Sequence, residues 1–180
     1  MIERGFATRQ WIWGAALSVV IEQVTTGKGE ERHGGGKSFM AQPWVALAKK
    51  HGVGFLTGQA EKKWIEAETS MIATDDARYV REVAGAIAYS LMALLWLTMP
   101  SGTFAKPNSQ FTSPATLLRG AWPLVQPPTT PKTLLWPSPD TMRNHELVVS
   151  IQNTVLHMAQ KLCARLVKMG VVPPVPEFYK

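Results

Sequence analysis

The chain has 180 residues, 46% of them hydrophobic, and a formal net charge of +6. That is enough apolar material for one packed core, and it excludes a chain that is disordered throughout. A lone cysteine, Cys163, excludes an intramolecular disulfide and fits a reducing, cytoplasmic setting, while the positive charge admits an anionic partner without requiring one.

The first predicted element is a helix over 7–24. Trp11, Ile12, Ala15, Val19 and Val20 recur at helical spacing, and apolar residues run almost all round, as in a helix packed between neighbours. The run Val19-Val20-Ile21 leaves a strand as the alternative. Arginines precede this apolar run, but no small-residue cleavage site follows and acids appear early, so the segment reads as mature protein.

Residues 27–38 are rich in glycine and end in Gly36-Lys37-Ser38, the ending of a Walker A phosphate loop. The loop needs a further glycine five positions before Gly36, where Glu31 stands instead. It must also open directly into a helix, and Pro43 comes too late for that. The stretch is therefore read as a basic surface loop in which Arg32 and Lys37 are candidate phosphate ligands. A short helix over 43–50 follows, with Pro43 in its first turn, Lys49, Lys50 and His51 at its carbonyl end and Gly52 as its cap. Lys50 and His51 complete the candidate phosphate set.

The next helices are predicted over 57–72 and from Thr74, as the capping residue, to 99, with Asp75 and Asp76 in the first turn. Residues 83–99 are uncharged and fall short of the roughly 20 residues that cross a bilayer. A buried core helix is expected there, with a short membrane segment as the alternative.

Six of the thirteen acidic residues lie between Glu61 and Glu82. At 100° per residue, Trp64, Ile65, Met71 and Ile72 share one face of the 57–72 helix, with Lys62, Lys63, Glu66 and Ser70 opposite. Glu61 and Glu68 then run down the apolar face. On the following helix Asp75, Arg78, Glu82, Gly85, Ala86, Tyr89 and Ala93 form a charged or mostly small stripe. Pairing the two helices antiparallel would gather Glu61, Glu68, Asp75 and Glu82, an oxygen set suited to magnesium, which orients phosphate and activates water. The structural alternative is a set of salt bridges with lysine and arginine, with Asp75 serving its own helix end.

Nine of the thirteen prolines fall within 100–139, interspersed with Leu117, Leu118, Trp122 and Leu134-Leu135-Trp136. An extended arm over 100–141 is expected, packing on the helical core of 1–99 or on a partner subunit. The C-terminal part, 142–180, opens with an amphipathic helix over 142–169. Leu147, Ile151, Val155, Met158, Leu162, Leu166 and Met169 recur at spacings of four and three, a pattern for a core or for a dimer seam. Cys163 reads as packing, and His145 and His157 are not on a ligand spacing.

The acid-bearing helix followed by Arg81-Glu82-Val83-Ala84-Gly85-Ala86-Ile87-Ala88 resembles the helix pair of the MazG-like nucleotide pyrophosphohydrolases. Glu82 matches the first acid of that family's Glu-x-x-Asp motif, while Gly85 stands at the aspartate. Of the Glu-Glu-x-x-Glu motif Glu61 is present, followed by Lys62, with Ile65 at the last acid. The resemblance covers 59–97 and implies an all-α fold and hydrolysis of nucleoside triphosphates with magnesium. The expectation is thus a mostly α bundle of four to five helices, acting as a metal-dependent nucleotide or phosphate-ester hydrolase. The alternative is a non-enzymatic homo-oligomeric interaction protein that binds nucleic acid through its basic surface. Membrane partners are not expected.

Overall fold

The computed structural model describes residues 2–26, 42–98 and 136–171, the side chains of 2–10, 12 and 13 excepted. Among these residues there are five helices and no strand: α1 Ile2–Thr25, α2 Pro43–His51, α3 Val53–Ile72, α4 Asp76–Thr98 and α5 Asn144–Lys168. The expected all-α bundle is what forms. The strand alternative at Val19-Val20-Ile21 is replaced by a continuous helix, in which Ala16, Val20 and Val24 point into the core at spacings of four.

α4 is the centre of the bundle. Val83, Ala84, Ala86, Ile87, Leu91, Ala93 and Leu94 are all fully buried along it. Its largest interface is with α3 and the next with α5; α1 touches α4 and α5, and α2 packs on α3. Among the described residues α4 is the one helix long and apolar enough to cross a membrane, and 72% of its apolar window is buried inside the bundle. That burial is the reason for its composition: a helix surrounded by other helices is apolar all round.

α5 spends its apolar stripe in the same core. Leu147, Ile151, Val155, Met158, Leu162 and Leu166 are buried, and only Met169 at the helix end emerges. The stripe is therefore internal packing in this chain. Cys163 is likewise buried, and burial pushes its thiol above the usual value, as befits a packing residue. The start of α5 is fixed by Glu146, whose carboxylate accepts the Arg143 backbone N–H at 2.9 Å. Trp136, where the described chain resumes, packs against Trp64 of α3 with ring centroids 6.5 Å apart. Residues 100–135 of the expected arm lie outside the described residues.

The connections follow from backbone geometry. Gly52 joins α2 to α3 at φ 71°, ψ −171°, a conformation open essentially to glycine alone. The expected cap of α4 is displaced by one residue. Asp75, not Thr74, caps it, its carboxylate accepting the Arg78 backbone N–H at 2.9 Å. Thr74 instead closes α3 at φ 57°. There its N–H donates to the Met71 carbonyl and that of Asp75 to the Ser70 carbonyl.

Candidate functional site

α3 is rotated from the expected orientation. Leu56, Ala60, Trp64 and Ala67 form its buried edge, while Ile65 is 55% exposed and Met71 and Ile72 face solvent. The reason is steric: α3 and α4 approach through small residues, so the alanines set the contact face and the larger Ile65 is left outside. The rotation corrects the expected positions of the acids. Glu61 and Glu68 are exposed, and Asp75 is an exposed cap. Of the four expected metal residues only Glu82 is buried, so the four do not meet. Among the described residues no three His, Cys, Asp or Glu side chains are grouped to hold a metal.

The same rotation carries Lys63, Glu66 and Ser70 inward. Lys63 reaches across to α4, its ammonium donating to Glu82 at 2.5 Å and to Glu66 at 2.7 Å. The lysine stem passes over Gly85: a Cβ added there would stand 3.3 Å from Lys63 Cδ. Gly85 thus provides the space for the crossing. Arg81 adds a longer contact to the second oxygen of Glu82 at 3.3 Å, and Lys62 lies 3.8 Å from Glu66. Burial opposes the charge on Lys63, but its bonds to Glu66 and Glu82 outweigh it and hold the ammonium above its ordinary pKa. The Lys63 hydrogen bond, against a smaller effect of burial, holds Glu66 below the usual carboxylate range.

This clamp forms one wall of a cleft of about 550 Å³. α1 contributes Gln23 and Val24, the start of α2 Gln42 and Trp44, α3 Gln59, Lys62, Lys63 and Glu66, and α4 the stripe from Arg78 through Arg81, Glu82, Gly85, Ala88 and Tyr89 to Met92. Four cationic side chains face two carboxylates there, leaving a surplus of two positive charges. Among the described residues Arg78 makes no ion pair, and it is exposed.

The sequence-derived stripe on α4 is thus partly right: Arg78, Glu82, Gly85 and Tyr89 line the cleft, while Ala86 and Ala93 belong to the core. Lys50 and His51 do not line it and sit exposed at the end of α2. Arg32 and Lys37 lie outside the described residues. The charged and amide residues of the cleft that sequence reasoning missed as site residues are Lys62, Lys63, Glu66, Arg81 and the glutamines. The i,i+3 spacing of Lys63 and Glu66 was a signal for their pairing, but nothing local pointed to Glu82, nineteen residues on.

A second polar cluster joins α4 to α5. Arg165 binds Asp76 and lies over the Tyr79 ring, 5.4 Å from its centroid. His157 meets Trp64 edge-on at 5.8 Å.

A magnesium ion does not fit the cleft as arranged. The point where the Glu66 and Glu82 carboxylates converge is occupied by the Lys63 ammonium, which donates to both. No protein-family model, curated protein or solved structure matches the chain.

Proposed function

We propose that this protein binds a phosphate-bearing small molecule of nucleotide type in the cleft between α1, α2, α3 and α4. One observation carries the reading: the cleft presents Lys62, Lys63, Arg78 and Arg81 against only Glu66 and Glu82. Arg78 and Arg81 follow one another at a helical spacing of three, so they present a double positive edge to an anion. The volume suits a ligand of nucleotide size, and Trp44 and Tyr89 supply aromatic wall.

Magnesium-dependent hydrolysis is a second reading, favoured by the convergence of Glu66 and Glu82 from two helices. It requires Lys63 to withdraw from both carboxylates. The binding reading does not.

Titration calorimetry with nucleoside mono-, di- and triphosphates, with and without magnesium, tests the proposal. Arg78→Ala and Arg81→Ala are each expected to weaken binding about tenfold or more, the size of a lost charge-assisted hydrogen bond. Affinity should also fall as salt rises. Absence of binding by every nucleotide would sink the reading. Binding that requires magnesium and is abolished by Glu82→Gln would favour the hydrolase.

A further inference from the structure

Gln42 sits at the N-terminal boundary of α2, where serine, threonine, aspartate and asparagine are preferred because their side chains cap the helix. Gln42 does not cap it; its backbone carbonyl accepts the Val45 N–H, and its side chain makes no hydrogen bond among the described residues. Yet the residue is only 6% exposed, and it lines the cleft. Its amide is not one of the fully buried, unpartnered polar groups, so it reaches the cleft surface, where a ligand can meet it. Gln23 from α1 and Gln59 from α3 line the same cleft, so carboxamides approach it from three helices. A carboxamide offers a donor and an acceptor side by side, which matches a planar ring carrying an adjacent acceptor and donor.

We infer that Gln42 is the specificity-determining residue of the cleft, its amide reading the donor–acceptor edge of a heterocyclic base while the cationic side chains hold the phosphates. The inference rests on the proposed anion-binding reading and goes beyond it: electrostatics alone would accept any polyphosphate. Gln42 hydrogen-bonds the bound base, and its loss leaves that edge of the ligand without a partner.

The experiment compares ATP, GTP, CTP and UTP with inorganic tripolyphosphate, a probe with the charge and no base, on the full chain. For the wild type at least one nucleotide should bind about tenfold or more tightly than tripolyphosphate, the discrimination of one bidentate contact. Gln42→Leu should bring that nucleotide down to the tripolyphosphate level while tripolyphosphate affinity stays within twofold. Gln42→Glu, which keeps an acceptor and removes the donor, should change the rank order of the four nucleotides. Melting without ligand separates this role from a structural one: Gln42→Leu should melt at or above the wild-type temperature. Nucleotides and tripolyphosphate binding alike in the wild type, or a preference unaltered in Gln42→Leu, would overturn the inference and leave the anion reading standing. Failure of tripolyphosphate and all four nucleotides to bind would overturn both.

Discussion

Two helix ends in this chain solve the same problem with different residues. α5 closes through Gly170 at φ 71°, with the Val171 N–H donating to the Leu166 carbonyl and that of Gly170 to the Val167 carbonyl. α3 closes with the same pair of bonds around Thr74 at φ 57°. Glycine adopts that region freely, whereas a β-branched residue crowds its own backbone there. Thr74 is exposed, so no packing compensates. Thr74→Gly is therefore expected to stabilise the protein by about 0.5–1 kcal/mol, the relief of strain reduced by the greater freedom of glycine in the unfolded chain. Urea denaturation measures it, and a lower midpoint at unchanged slope would contradict the argument. Gly85 makes the complementary point: there the absent side chain matters for what passes over it, the Lys63 stem.

At the scale of elements, the α3–α4 pair is held by apolar packing and by one charged crossing. The side chains of Lys63 and Glu82 are 17% and 10% exposed, and their 2.5 Å contact is the shortest each makes, Glu66 and Arg81 being their further partners. Removing one partner strands a mostly buried charge, and removing both does not. Lys63→Met is expected to cost about 3 kcal/mol. The double change Lys63→Met, Glu82→Leu should cost less than that single change, because each new side chain meets apolar surface in place of an unpaired ion. A double-mutant cycle followed by chemical denaturation checks this. Additive effects of the two substitutions would show that the crossing carries no coupling.

For the whole molecule, stability should depend on pH through groups on several helices. His157 of α5 is packed against Trp64; burial first, and Lys161 next, push its pKa below the ordinary value, with exposed Glu68 of α3 pulling the other way. Its folded pKa is depressed, so the unfolded chain takes up the proton first, and stability is lost as the pH falls below about 6.5. Glu66 has a depressed folded pKa too, so the clamp's contribution is present above about pH 4.5 and is lost as the pH falls through the folded value. Lys63 is raised, so its share persists through neutral pH and is lost only as the pH rises through its folded value, beyond 10.5. Two acid phases are expected in melting temperature against pH. His157→Phe should flatten the first and leave the second. A curve flat from pH 7 to 5 in the wild type would exclude His157 as the cause.

The sequence by itself determined the class of fold and the ends of α2. Uniform apolarity marked α4 as central, the four-three spacing from Leu147 to Leu166 marked α5, and Pro43 and Gly52 bounded α2, because these signals are local and act through one helix at a time. It also made part of the site legible: Arg78, Glu82, Gly85 and Tyr89 share a face of α4 at any rotation, so their common placement followed from periodicity. The rotation of α3 was decided only by the tertiary structure. Counting bulky apolar residues put Ile65 inward, but close approach of two helices rewards small residues, and Ala60 and Ala67 turned the helix so that Lys63 and Glu66 face the cleft and Glu61 and Glu68 face water. The pairing of Lys63 with Glu82 likewise needed the third dimension, because it joins charges from different helices across a glycine, and no spacing within either helix encodes it.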